Sequence, residues 1–238
     1  MELPVRVADF QNVVFFTGAG MSAESGVPTY RGRGGIWHEY DYEEYACQSA
    51  FDRDPRKVWE FHNIRRERVA RCTPHAGHEG IVRCEKHGPA TTVVTQNIDG
   101  MHQLAGSQKV FELHGSLWRV RCNRCDTRHS GREAPFPDIS CPQCSGYWRP
   151  DIVWFGDHLD PAVVASAMAA IRACDLLVAI GTSAVVFPAA AFPLEAKRAG
   201  ATLIEINLEK TAMSDAYDYC MLGPASEILT ALCTGIGA

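Results

Sequence analysis

Val13-Val14-Phe15-Phe16-Thr17-Gly18-Ala19-Gly20-Met21-Ser22-Ala23 is a short continuous apolar run that stops at glycine. A run of this length without polar alternation reads as a strand buried on both faces of a parallel sheet. Its continuation fits G-x-G-x-x-G/A, the turn whose backbone N–H groups approach a pyrophosphate at a helix N-terminus. The acidic ribose ligand that usually follows about 20 residues on has no clear counterpart. Glu24 to Gly32 is instead polar, flexible and charged, and suits a lid over a cofactor.

Working outward, Thr91–Thr95, Leu176–Ile180 and Ala201–Ile206 repeat the apolar form, and Val110–His114 alternates as a strand at one side of the sheet would. Helical patterns lie between them, over Pro55–Arg71, Ala76–Lys86, Pro161–Arg172 and Pro188–Arg198. Asp160 before Pro161 reads as an N-cap with proline at N1, and Gly200 as the residue that ends a helix. Strands alternating with helices predict an α/β fold, a Rossmann-like doubly wound parallel sheet.

Trp118–Trp148 breaks that rhythm. Cys122, Cys125, Cys141 and Cys144 form Cys-x2-Cys, a fifteen-residue gap and a second Cys-x2-Cys. Four thiolates in two such knuckles match a tetrahedral, closed and therefore structural Zn²⁺ site. The expected organisation is residues 1–117 and 150–238 as the nucleotide-binding domain, with residues about 41–90 helical, and 118–149 as an inserted zinc-ribbon module.

The chain of 238 residues is 46% apolar and 21% charged with net charge −5, so no global basic field draws it to nucleic acid. No stretch approaches the ~20 apolar residues of a membrane span, and the six remaining cysteines are scattered singly as free buried thiols would be. A cytoplasmic monomer with no membrane partner and no specific nucleic-acid partner is expected. Other strand ends carry polar groups: Thr95-Gln96-Asn97-Ile98-Asp99, Gly181-Thr182-Ser183 and Asn207-Leu208-Glu209. Ligands of open parallel sheets bind there, although Asn97 or Asp99 would equally serve as a helix cap. His114, at the end of the alternating run, reads either as a general base or as a hydrogen-bonded structural group.

In their order these motifs resemble the sirtuin family: Gly18–Pro28, Thr95–Asp99, His114-Gly115-Ser116, the four cysteines, Val153-Trp154-Phe155-Gly156 and Gly181-Thr182-Ser183. The resemblance runs from about Val13 to Ala225 and is greatest to the bacterial class III branch. It implies NAD consumed as a co-substrate between sheet and zinc module, one structural Zn²⁺, and acyl-lysine proteins or peptides as substrates. By the same resemblance Gly18, Ala19 and Gly20 meet the pyrophosphate, with Glu24, Thr29, Tyr30, Arg31 and Trp37 on or beside the cofactor loop. Gln96, Asn97 and Ile98 would contact the ribose and an ordered water, and Asp99 the nicotinamide carboxamide. Gly181, Thr182, Ser183, Asn207, Leu208, Glu209 and Ala225 would hold the adenosine half. Val153 to Gly156 would form the edge to which the peptide adds as a strand. The implied chemistry is attack of the acyl oxygen on C1′ of the nicotinamide ribose, with loss of nicotinamide. His114, aided by Asn97, then accepts a proton so that lysine and O-acyl-ADP-ribose leave.

One departure stands out. Members of that branch carry Tyr-x-x-Arg for an acidic acyl carboxylate, whereas Trp59-Glu60-Phe61-His62-Asn63-Ile64-Arg65 keeps the arginine and has His62 at the tyrosine position. Ala46 matches the small residue that leaves room for a bulky acyl group. His62 and Arg65 share a helix face. The expectation is that succinyl, malonyl and glutaryl groups are accepted with altered ranking and a steeper pH dependence through protonation of His62. In the alternative, acetyl and other neutral acyls gain ground; in the bland reading both residues face solvent. ADP-ribosyl transfer and a non-enzymatic zinc-ribbon binding module are the rival functions, and the missing acidic ribose ligand counts against a dehydrogenase.

Overall fold

The computed structural model describes residues 5–30 and 35–236. Six strands form its main sheet: β1 (Asn12–Thr17), β2 (Ala90–Thr95), β3 (Val110–Glu112), β7 (Leu176–Ile180), β8 (Thr202–Asn207) and β9 (Tyr219–Leu222). Their spatial order is β3-β2-β1-β7-β8-β9 and every pairing is parallel. That is the doubly wound dinucleotide-binding order, whose switch point falls between β1 and β7.

Period-two alternation sends each strand's side chains to two cores. Val13, Phe15, Val93 and Val178 pack with α5 (Ala76–His87) and α9 (Ala225–Leu232) on one face. Val14, Phe16, Val94 and Leu177 pack with α7 (Pro161–Ala173) and α8 (Phe192–Arg198) on the other. Burial on both faces explains the unbroken apolar runs. Asp160 caps α7 through Ala162 N (2.8 Å), and Gly200 closes α8 at φ 93°.

The helix expected from Pro188 begins only at Phe192, after a 3-10 turn over Ala189–Ala191. Pro193 explains the start: lacking an N–H, proline fits only the first turn of a helix. Ala19–Ser25 is likewise a 3-10 helix, closed by Gly26 at φ 85°.

A second sheet, β5-β4-β6, is antiparallel: β4 (Gly115–Cys122), β5 (Arg128–Ser130) and β6 (Trp148–Ile152). Its β4 and β6 run across the boundaries expected at 117/118 and 149/150. Short helices α1 (Ile36–Glu39), α2 (Tyr42–Tyr45) and α3 (Gln48–Arg53) lead into the long α4 (Pro55–Ala70), and α6 (Met101–Ala105) follows β2. A third core joins α3 and α4 to the small sheet through Phe51, Trp59, Trp118 and Trp148. Arg66 of α4, 1% exposed, crosses that junction. It donates to the carbonyls of Glu133 (2.7 Å), Gly131 (2.8 Å) and Leu117, and lies over the Trp118 and Phe136 rings. Burial lowers its pKa to about 10. No helix among the described residues is long and apolar enough to cross a membrane.

Candidate active site

A cleft of about 980 Å³ opens at the carboxyl ends of the parallel strands and extends to the small sheet. Its floor is tied from strand to strand. Asn97 Nδ2 donates to the Gly18 carbonyl (2.9 Å), Gln96 Nε2 to Thr182 Oγ1 (3.1 Å) and Asn207 Nδ2 to the Thr182 carbonyl (3.0 Å). Four strand ends, those of β1, β2, β7 and β8, are thereby fixed in one surface. The glycines there serve backbone contact: a Cβ on Gly20 would stand 2.6 Å from Gly181 Cα, and one on Gly18 2.7 Å from the Gly181 oxygen.

Of the residues expected to meet a dinucleotide, Gly18, Ala19, Gly20, Glu24, Thr29, Tyr30, Trp37, Gln96, Asn97 and Ile98 line the cleft. So do Gly181, Thr182, Ser183, Asn207, Leu208, Glu209 and Ala225. Arg31 lies outside the described residues. Asp99 is not on the wall: its Oδ1 accepts from Met101 N (2.8 Å) at the start of α6, as a helix cap would. Burial raises its pKa despite that bond and one from Ser22. Glu24 is held by Ser226 of α9, whose N–H (3.0 Å) and hydroxyl donate to the carboxylate. Burial pushes Glu24 upward, but these bonds outweigh it and leave its pKa below the usual value.

His114 lies on the same wall. Its Nδ1 is 2.9 Å from the Gln96 carbonyl oxygen. A carbonyl only accepts, so Nδ1 carries the proton and Nε2 is the basic nitrogen of the neutral ring. The His114 carbonyl accepts from Val153 N (3.0 Å), and Phe155 N donates to the Ala46 carbonyl (3.0 Å). Val153 to Gly156 thus borders the cleft as an irregular segment, not a regular strand. Arg149, 2% exposed, braces it through Asp157 (2.5 Å), which also accepts from Trp154 N (3.1 Å).

Ala46, His62, Arg65 and Trp154 close the far end. His62 is 1% and Arg65 8% exposed, which removes the reading that both face solvent. The His62 ring stacks near Trp154 at 5.8 Å, and neither ring nitrogen has a side-chain partner among the described residues. Trp154 Nε1 is also buried without a partner among the described residues. Desolvation, then the positive charges of Arg65, Arg149 and Arg66, hold the His62 pKa well below its ordinary value. The weak pull of the Tyr45 main chain does not offset them. The expected pH response of His62 is therefore corrected: the ring stays neutral near pH 7. Arg65 is engaged as well, with Nη2 2.5 Å from the Tyr30 hydroxyl and its guanidinium over the Tyr30 ring.

Away from the cleft, Cys122, Cys125, Cys141 and Cys144 place their sulfurs within 4.8 Å of one another. Three of the separations are 3.5, 3.6 and 3.7 Å. Tetrahedral Zn–S bonds of ~2.3 Å require about 3.8 Å between sulfurs, so the donor set fits zinc.

A histidine trio beneath the glycine segment was not anticipated. His75 Nε2 holds the Met21 carbonyl (2.7 Å) and His102 Nε2 meets Thr17 Oγ1 (3.0 Å). His78 sits between them, its ring 4.3 Å from His75 and 5.0 Å from His102. Burial lowers the pKa of His78 to about 2 and of His102 to about 3.

A model of the Sir2 family matches residues 18–188. The chain belongs to the Sir2 family. It is 44% identical over 233 residues to the NAD-dependent protein deacylase of Aeropyrum pernix, covering 97% of this chain and 95% of that protein. Among solved structures, a Sir2 homologue in complex with NAD superposes with TM-score 0.90 at 40% identity, covering 97% of this chain and 91% of the other. A Sir2–p53 peptide–NAD⁺ structure matches with TM-score 0.82 at 28% identity, over 95% and 93% of the two chains. In this Sir2-family chain the cleft at the switch point fits a dinucleotide, and the cysteine set fits one structural zinc ion.

Proposed function

We propose that this Sir2-family chain is an NAD-dependent protein-lysine deacylase with protein or peptide substrates. The observation that carries the reading is the position of His114. Its basic nitrogen belongs to a ring oriented by Gln96, in the cleft that also holds the glycine segment and the Ala46–His62–Arg65 end. When bound, NAD would supply an electrophilic ribose carbon and an acceptor for the acyl group. The chain's own residues do the rest. Gly18, Gly20, Thr182 and Asn207 build the dinucleotide floor, and Asn97 fixes the ribose end. Val153 to Gly156 border the peptide path, and His114 Nε2 accepts the proton that makes acyl transfer possible. Residues 1–117 and 150–238 serve as the dinucleotide lobe and 118–149 as the zinc lobe, the two meeting through β4 and β6.

For the acyl group, the far end offers the Arg65 cation, a neutral His62 with one donor and one acceptor, and the Trp154 Nε1–H. Donors of that kind suit a carboxylate or another polar acyl end. We therefore read the enzyme as accepting acidic acyls such as succinyl, malonyl and glutaryl beside acetyl, with affinity to the class III branch. The test is a panel of acyl-lysine peptides with NAD, scored for nicotinamide release and for O-acyl-ADP-ribose by mass spectrometry. Silence across the panel, or transfer of ADP-ribose to a protein acceptor in place of deacylation, would overturn it.

A further inference from the structure

Cys84 and Cys233 belong neither to the cleft nor to the zinc lobe. Cys84 lies on the inner face of α5 and Cys233 at the C-cap of α9, at 0% and 2% exposure. Their sulfurs are 3.0 Å apart. A disulfide needs ~2.05 Å, so about 1 Å of mutual approach closes the bond. Gly80, one turn earlier on α5, helps to bring α9 near: a Cβ there would stand 3.8 Å from the Cys233 sulfur. The rest of the contact is Leu229, Leu232 and Ile81, a tight core in which two thiols have been placed face to face.

We propose that Cys84 and Cys233 are an oxidisable pair, closed by a peroxide into a disulfide that staples α5 to α9. The Cys84 thiolate attacks one peroxide oxygen, the O–O bond breaks, and the hydroxide that leaves takes up the proton the Cys84 thiol had given up, so that a sulfenic acid and one water result. The Cys233 sulfur then attacks the Cys84 sulfur and the S–OH bond breaks. The departing hydroxide takes the Cys233 proton and leaves as a second water. Two thiols lose two electrons in all, and one hydrogen peroxide is reduced to two waters. The order of events follows the local charges. The hydrogen bond to Cys233 outweighs burial and, with the nearby Arg83, holds the Cys84 thiol below its ordinary value. The same bond and burial push Cys233 up. Cys233 stands just past the last turn of α9, where local opening that admits a small oxidant costs least.

Both stapled helices support the glycine segment. His75, which caps α5, holds the Met21 carbonyl, and Ser226 in the first turn of α9 holds Glu24. The two cysteines are 149 positions apart, so the bond closes a very long loop. Long loops restrict the unfolded chain most, and a rise in Tm of about 5 °C or more is expected.

The zinc-loaded protein is treated with a few equivalents of hydrogen peroxide, its remaining thiols are alkylated, and it is digested without reduction. A peptide joining Cys84 to Cys233, lighter by two hydrogens, supports the proposal, together with a raised Tm that Cys84→Ser and Cys233→Ser both abolish. A parallel refolding in a glutathione redox buffer with zinc presents both thiols before they are buried. Alkylated Cys84 and Cys233 in both experiments would overturn the proposal. So would a Tm rise that survives in Cys84→Ser.

Discussion

His114 Nδ1 is held 2.9 Å from the main-chain oxygen of Gln96, which assigns the two ring nitrogens opposite duties. A backbone acceptor fixes both tautomer and ring direction without adding a negative charge to the cleft. The arrangement also binds the end of β2 to the start of β4, so the base is positioned by the sheet itself.

Replacing His114 by alanine is expected to lower kcat by ~10²–10⁴-fold, the usual worth of a general base. Zinc content, circular dichroism and NAD affinity should stay near wild type. Near-normal turnover of acyl peptides by the variant would remove His114 from the chemistry.

Because His62 is kept neutral, the ratio of succinyl to acetyl turnover should be flat between pH 6 and 8. Restoring a phenol with His62→Tyr should change the ratio itself and leave its pH slope unaltered. A succinyl preference in the wild type that climbs as pH falls toward 6 would contradict the burial argument.

Tyr30 occupies the Arg65 guanidinium. Tyr30→Phe removes that acceptor and should raise the succinyl-to-acetyl ratio about threefold or more, read from KM for the acidic peptide. Arg65→Ala should depress the acidic acyls selectively. An equal loss on both peptides would indicate a general packing defect.

Three buried rings, His62, His78 and His102, all have folded-state pKa values below the ~6.5 of an unfolded histidine. Above that value both states are neutral and no penalty arises. Below it the unfolded chain binds protons that the folded chain refuses, so stability falls with pH. The slope is up to ~1.4 kcal/mol per pH unit for each ring. Denaturant midpoints taken from pH 7 to pH 4.5 should drop steeply, and His78→Asn should flatten the curve. An unchanged midpoint over that range would refute it.

Gly20→Ala should cost at least ~2 kcal/mol, because its methyl would meet Gly181 backbone atoms that cannot step aside. Thermal melts without any ligand are the relevant readout, since the clash is within the protein. Unaltered melting would mean that this turn has slack absent from the structure.

Much of this was legible from residues alone. Unbroken apolar runs such as Val13–Phe16 and Leu176–Ile180 announce strands covered on both sides, and polar residues just after them announce the cleft. The cysteine spacing carries its own geometry. What stayed hidden depends on partners far along the chain. Arg66 reads as one of a basic run on a helix, yet its acceptors are carbonyls 51, 65 and 67 positions away. His62 looks like a titrating residue until α4 is packed and three arginines surround it. Asp99 admits two readings in sequence, and the structure shows the capping bond. His75, His78 and His102 lie on different elements, and no spacing rule brings them together.

The guanidinium of Arg66 acts as a rivet through the joint between α4 and the cysteine-rich lobe. Arg65, its neighbour in sequence, faces the acyl end of the cleft. A disturbance at the metal should therefore pass from one residue of α4 to the next and so to the specificity pocket: partial chelation would be felt first as blurred discrimination between acyl groups, before bulk unfolding. Metal occupancy in this chain is then a quantity to control whenever substrate preferences are compared.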